Sequence, residues 1–292
     1  MNNQKINFIT YGDNEFFIQK RHLINLARKS ELFDECIGYS PKDIDREFKN
    51  KFSEILNQPR GGGFWLWKYY IIRKSLESMK QNDLLVYSDS GSSFNKMGKE
   101  RFLEYIDLIK DSDKGNLRFR MEYLENEWTT KEIFNYFNLK PDSSHGTSGQ
   151  FHATHMIFKK NSNVVAMLDS FEELLNFDPY LITDKYNSFD QIENFKENRH
   201  DQSIFSILSK IHGCVEIPKD ETCMSEILEN QIHFPFISTR RRYTLWEKIR
   251  FLIFYFYYLD KTIFFNQRDY WFQRPSIKEK VLYHYRKIRK VT

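Results

Sequence analysis

Ile6-Asn-Phe-Ile-Thr-Tyr-Gly-Asp13 opens the part of the chain that decides the fold. Ile6 to Tyr11 is a short β-branched and aromatic run stopped by Gly12-Asp13, which reads as a buried strand ending in a loop. From Glu15 to Ser30 the apolar residues Phe16, Ile18, Leu23, Ile24, Leu26 and Ala27 recur at helical spacing with charges between them. Glu35 to Tyr39 reads as a second strand, and Ser40-Pro-Lys-Asp43 carries a helix start signal ahead of Ile44 to Leu56. Strand, helix, strand, helix is the rhythm of an α/β fold, a mostly parallel central sheet flanked by helices.

Working outward, Gln58-Pro-Arg-Gly-Gly-Gly63 breaks the chain before an aromatic helix expected over 64–79. Asp83 to Ser88 is a near-continuous apolar strand that delivers Asp89-Ser-Gly-Ser-Ser93 at its carboxyl end. In open α/β sheets the ligand crevice lies beyond the carboxyl ends of strands, so Asp89 is well placed to meet a metal or a phosphate. Gly91 lets backbone approach that ligand closely. Further helices are expected over 99–109, 128–137, 164–180 and 201–211, and strands over 117–123 and 152–159. Pro141 to Gly149 is the most loop-like stretch and has the length of a substrate loop.

Composition excludes a disordered or low-complexity chain: 40% of the 292 residues are apolar and 17% aromatic, enough surface to offset chain entropy. The formal charge of +4 hides an asymmetry. Thr239 to Thr292 carries 14 Lys and Arg against 4 Asp and Glu, net +10, so Met1 to Ser238 carries 30 against 36, net −6. The same tail holds 15 of the 49 aromatic residues. Two regions follow, a body over 1–238 and a basic, aromatic helical tail over 239–292 that is either membrane-proximal or packed on the body as an accessory subdomain, and such asymmetry points to a polyanion or a membrane surface. The N-terminus lacks the segments of a secretory signal, which gives a cytoplasmic expectation, with membrane association on the cytoplasmic face through the tail. Phe251 to Leu259 falls short of the roughly 20 apolar residues needed to span a bilayer. Cys36, Cys214 and Cys223 form no CxxC pair and read as incidental thiols.

Four features carry candidate chemistry. Asp89 offers a hard oxygen ligand for a divalent cation, against the ordinary reading of a polar turn after a strand. Gly61-Gly-Gly63 before an aromatic helix offers free backbone N–H groups to a phosphate at a helix N-terminus, although it does not match the P-loop spacing. Packing alone accounts for Trp65 and Trp67, and less well for Lys68 amid so many aromatic residues. His200-Asp201-Gln202 opens a helix, where an Asp is also an ordinary cap. His152 and His155 would face opposite sides of a strand and make poor joint metal ligands, leaving each as a single substrate contact at most.

Tyr11-Gly12-Asp13, the Gly61 to Ile72 run with Trp-Leu-Trp-Lys68, and Leu84-Leu-Val-Tyr-Ser-Asp-Ser-Gly91 together resemble nucleotide-diphospho-sugar glycosyltransferases of the GT-A fold. The similarity is closest to bacterial and large-virus members that build surface glycans, and Gln150 to Lys160 and Arg199-His-Asp-Gln-Ser203 fit the later strand and helix start of that family. The resemblance runs from about Ile6 to Gly213. It implies transfer of a sugar from a nucleotide-diphosphate donor, UDP-sugars favoured, to a glycan or lipid-linked acceptor hydroxyl. It implies that Thr10, Tyr11 and Asp13 hold the nucleoside, with Tyr11 against the base, and that Trp67 and Lys68 contact ribose and diphosphate. Asp89, with Ser90 and Gly91, stands at the family's metal-binding DxD motif, but Gly91 replaces the second Asp and weakens the implied Mn or Mg binding. Asp201 would face the reacting sugar or acceptor hydroxyl with Gln202 beside it. His155, His200 and Arg240 are further substrate contacts, and His233 is a late metal ligand by the same implication.

Two other function classes compete. A metal-dependent phosphohydrolase built on Asp89, His200 and Asp201 lacks two more ligands at convincing spacing. A non-catalytic binding protein would use the basic tail, but no zinc-finger spacing or RNA-recognition signature is present, so nucleic acid is not an expected partner.

Overall fold

The computed structural model describes residues 4–222 and 234–239. Three strands form its parallel half: β1 (Ile6–Tyr11), β2 (Glu35–Tyr39) and β3 (Leu84–Ser88), with β1 paired to both of the others. Their sequences fit their places. The middle strands β1 and β3 are buried along nearly their whole length, whereas β2, at the sheet edge, alternates with exposed residues. Four more strands complete a seven-stranded sheet: β5 (Asn116–Leu124), β6 (Gly149–Phe151), β7 (His155–Lys159) and β8 (Val215–Ile217). The order is β2-β1-β3-β7-β5-β6, with β8 on β5. A two-stranded ladder of β4 (Ser93–Phe94) and β9 (Phe236–Ile237) stands apart.

The fold is α/β as expected, but the mostly parallel sheet needs correction. Beyond β3 the ladder alternates: β7 is antiparallel to β3 and to β5, and β6 is antiparallel to β5. β6 and β7 run one after the other in the same direction along β5, separated only by His152-Ala153-Thr154, so both return antiparallel to it. The strand expected over 152–159 therefore begins at His155, and the three residues before it leave the ladder.

Helices cover both faces. Phe17–Ser30 and Lys99–Lys110 pack on one side with Phe8, Leu84, Val86 and Ile157. Leu66–Ser78, Ser162–Phe177 and Asp201–His212 pack on the other with Ile9, Leu85, Tyr87, Met156 and Phe158. Alternate residues of each strand thus enter opposite cores, and each large side chain fully buried contributes about 1.5–3 kcal/mol. Local signals set the helix ends: Asn161 accepts from the backbone N–H of Val164, and Arg28 and Lys29 occupy the last turn of Phe17–Ser30. The substrate loop expected over 141–149 instead contains a helical turn, Ser144–Thr147, and does not line the pocket described below.

The architecture brings several ends to one edge of the sheet. Parallel pairing places the carboxyl ends of β1 and β3 together, and antiparallel pairing places the start of β7 beside them, with His155 opposite Ser88. The backbone N–H of Asp89 donates to the carbonyl of Thr154 at 2.9 Å, tying the turn after β3 to the gap before β7.

Candidate active site

Gly61 to Trp65 is the local structure on which the site depends. All five residues have positive φ: 61°, 59°, 95°, 51° and 57°. They form a left-handed turn, which glycine enters freely and Phe64 and Trp65 only at a cost of about 1–2 kcal/mol each. The phosphate cradle expected of this run is narrowed by its hydrogen bonds: the N–H groups of Gly62, Phe64 and Trp65 donate to the carbonyls of Pro59, Arg60 and Gly61, so three of the five donors are used within the turn. What the turn achieves is placement: it launches Leu66–Ser78 with Trp67 and Lys68 facing the sheet.

Lys68 is 3% exposed, and its Nζ lies 2.7 Å from Asp201 Oδ2, 3.2 Å from Asp89 Oδ1 and 3.1 Å from the carbonyl of Ala153. The Ala153 carbonyl accepts a hydrogen bond, and the two carboxylates are ion-pair contacts. The Tyr87 ring lies beneath it, 5.2 Å from Nζ, and the Tyr87 hydroxyl donates to Asp89 Oδ1 at 2.5 Å. Burial opposes the charge on Lys68, but Asp201 and Asp89 outweigh it and its pKa rises. Asp201, 5% exposed, is pushed up to about 6 by burial, against the pull of Lys68. Asp89 is the open member, 31% exposed.

Lys68, Asp89 and Asp201 line a pocket of about 240 Å³ together with Ala153, His200 and Gln202. Arg60 and Arg199 also line it. His200 carries the strained backbone that starts the Asp201–His212 helix, with φ 57° and ψ −123°. Its ring packs 5.2 Å from that of Phe64 and 5.3 Å from that of Trp65, and Nε2 lies 3.0 Å from Asp184 Oδ1. Burial lowers its pKa against the opposing Asp184. Two strained segments, one on each side of the pocket, therefore hold each other in place, an arrangement that clusters at functional sites. Arg60 adds ion pairs to Asp184 at 2.9 Å and Glu197 at 3.3 Å at the rim.

The structure separates the residues expected from sequence into three groups. Asp89, Asp201, Lys68, His200 and Gln202 meet in the pocket. Tyr11, Asp13 and Trp67 gather around Gly62: Tyr11 and Trp67 stack with centroids 3.9 Å apart, and Trp67 Nε1 donates to the Gly61 carbonyl. One face of Tyr11 is thus already covered, which leaves a base the other face or none. Asp13 Oδ1 accepts from the backbone N–H groups of Glu15 and Phe16 and holds the turn just ahead of the first helix. The third group does not reach the pocket. Thr10 is wholly buried on the opposite face of β1 from Tyr11, as strand alternation demands. His155 is wholly buried, bonded through Nδ1 to Ser88 Oγ at 2.8 Å and through Nε2 to Ser238 Oγ at 3.3 Å, and burial holds its pKa well below the usual range. Ser90 is buried, and the Gly91 carbonyl accepts from Thr239 Oγ1 at 2.6 Å. His155, Ser90 and Gly91 are thereby parts of the scaffold under the Asp89 turn. His233 and Arg240 lie outside the described residues.

Among the described residues no group of three or more His, Cys, Asp and Glu side chains converges to hold a metal. A divalent cation here would meet the exposed edge of Asp89, whose Oδ1 pairs with Lys68, and His233, the second expected ligand, lies outside the described residues.

No family model and no curated protein sequence matches the chain. Among solved structures it is similar to a glycosyltransferase involved in glycosylation of the major capsid of PBCV-1, at 12% identity over 80% of this chain and 91% of that one, TM-score 0.45. Mouse xyloside xylosyltransferase 1 is similar at 12% identity over 80% and 96%, TM-score 0.40. The glycosyltransferase GlyE of Streptococcus pneumoniae TIGR4 is similar at 15% identity over 73% and 45%, TM-score 0.36. What the pocket does is therefore argued from its own residues.

Proposed function

We propose that the chain is a glycosyltransferase that moves a sugar from a nucleotide-diphosphate donor, a UDP-sugar in the favoured reading, to a hydroxyl of a glycan or lipid-linked acceptor. The observation that carries this is the buried ammonium of Lys68 held between Asp89 and Asp201 at the carboxyl edge of the sheet. Counted as ionised groups, the three sum to −1, and that charge suits the reacting centre. Breaking the bond between a sugar and its diphosphate leaves the anomeric carbon electron-poor and oxocarbenium-like. Fixed carboxylates beside it stabilise that charge as it develops.

Asp201 has a second role in this reading. Held near pKa 6 it is mostly ionised at neutral pH and still basic enough to take the proton of an acceptor hydroxyl. Lys68, 3% exposed and ion-paired to both carboxylates, keeps Asp201 charged and oriented and adds its charge to the face that meets the diphosphate. Arg60 and Arg199, both lining the pocket, are placed to meet the diphosphate charge, Arg199 with its guanidinium 3.7 Å from the Trp128 ring centre. Arg60 would exchange an exposed ion pair for a phosphate at little cost, because exposed pairs contribute roughly 0–1 kcal/mol. The stacked Tyr11 and Trp67 with Asp13 supply the adjoining surface for the nucleoside.

The experiment is sugar transfer and donor hydrolysis with Asp89→Ala and Asp201→Ala across a panel of nucleotide sugars. Transfer is expected to be lost in both variants with the fold intact. Donor hydrolysis retained in Asp201→Ala would put that residue on the acceptor side, and full transfer in Asp89→Ala would remove Asp89 from the chemistry.

A further inference from the structure

Behind the pocket wall lies a second buried carboxylate that the proposed chemistry does not use. Glu125 is wholly buried at the start of the short helix Glu125–Trp128. Its Oε2 lies 2.9 Å from Lys210 Nζ and accepts from Ser206 Oγ. Its Oε1 accepts from Thr129 Oγ1 at 2.7 Å and from Gln150 Nε2 at 2.9 Å. A carboxylate paired with a lysine only accepts hydrogen bonds. Gln150 must therefore turn its NH2 group toward Glu125 and its Oε1 away, and there Gln202 Nε2 donates to it at 2.7 Å. Gln202 then has its Oε1 for the backbone N–H of Ala153, at 3.3 Å. The donors all run one way, from Ala153 to Gln202 to Gln150 to Glu125. Both ends demand the same direction, because a backbone N–H cannot accept and the carboxylate cannot donate. Hydrogen bonds aligned head to tail strengthen one another in a buried setting. The chain ends at the pocket: Gln202 and Ala153 both line it, and the Ala153 carbonyl accepts from Lys68.

We infer that Glu125 and Gln150 are positioning residues that fix the direction of the Gln202 amide, so that the pocket meets its oxygen on the Ala153 side, where a sugar hydroxyl donates to it. The sugar hydroxyl rests on the glycosyl-transfer reading; the direction of the amide does not. Nothing in the shape of a glutamine side chain distinguishes its two ends, so without this relay the pocket would present oxygen and nitrogen in either order.

The test uses full-length protein labelled with ¹⁵N in its glutamine side chains and the variants Gln150→Met and Q150E. Gln150→Met removes the link but keeps the volume and leaves Glu125 its contacts with Lys210, Ser206 and Thr129. The Gln202 NH2 signal is expected to shift and to exchange with solvent about tenfold faster or more, as a freed side chain does. In the same variant kcat for donor turnover is expected to fall about tenfold with KM within about twofold, the signature of lost orientation. Q150E, protonated on the oxygen that faces Glu125, donates to Glu125 and still offers Gln202 its other oxygen, and is expected to recover part of both. A Gln202 signal and exchange rate unchanged in Gln150→Met would overturn the inference, whatever the kinetics. If the wild type turns over no nucleotide sugar, the glycosyl-transfer reading fails, and the amide signal still decides the relay.

Discussion

Asp201 is the residue whose environment does most to define the chemistry. Burial raises its pKa and Lys68 lowers it, and the balance sits at about 6. A base must be deprotonated to act, so transfer is expected to rise with pH through an apparent pKa near 6 and to level off above it. Lys68→Met removes the cation that holds Asp201 down, and the same rise is then expected at higher pH with a lower plateau. Asp201→Asn should lose the rise altogether, with a fall of about 10²–10⁴ in rate. A midpoint that stays in place in Lys68→Met would show that the coupling between the two does not govern the reaction. Asp201 was legible in the sequence as an Asp at a helix start and, through the resemblance, as a residue facing the reacting sugar; the ammonium that gives it its pKa comes from a helix more than a hundred residues earlier, and no local pattern encodes that meeting.

The left-handed turn from Gly61 to Trp65 is the element that makes the meeting possible. A Cβ on Gly63 would lie 2.6 Å from Leu56 Cα and 3.0 Å from the Ile55 carbonyl oxygen, both backbone, at φ 95°. A Cβ on Gly62 would find nothing closer than 3.6 Å, at φ 59°. Gly62→Ala should therefore cost only the backbone penalty of about 1–2 kcal/mol, whereas Gly63→Ala should cost several kcal/mol, because its neighbours cannot move aside without unseating the turn. Thermal denaturation of the two variants measures the difference, and equal shifts would contradict this account of the turn. Three consecutive glycines announced an unusual backbone in the sequence, and their position before an aromatic helix was readable. Their purpose was not, since a phosphate cradle and a left-handed launch use the same residues and differ only in where the N–H groups point. The strands were legible wherever apolar runs were long, as in Leu84 to Ser88. The antiparallel return of β7 was not, because an apolar strand reads the same whichever way its neighbour runs. Gln150 and Glu125 carried no sequence signal, for a polar residue inside a buried relay looks like any surface amide or acid until its neighbours are known.

At the scale of the whole molecule, the described residues form an α/β body whose sheet edge gathers the pocket, and Thr239 Oγ1 anchors the end of that body to Gly91 beside Asp89. No helix among the described residues is long and apolar enough to cross a membrane. The tail that follows, net +10 over 239–292 with Thr239 its last described residue, lies otherwise outside them, and its basic and aromatic composition is that of an interfacial segment. We read it as a means of holding the enzyme near a membrane-proximal acceptor. Flotation with anionic liposomes should carry the full-length chain and leave behind a chain ending at Thr239, and equal flotation would remove the idea without touching the pocket. The central claim, that this pocket receives a nucleotide sugar, is tested most directly by calorimetric titration of the full-length protein with a panel of UDP- and GDP-sugars. The account predicts saturable binding of at least one donor, weakened in Asp89→Ala; the absence of binding across the whole panel would contradict it.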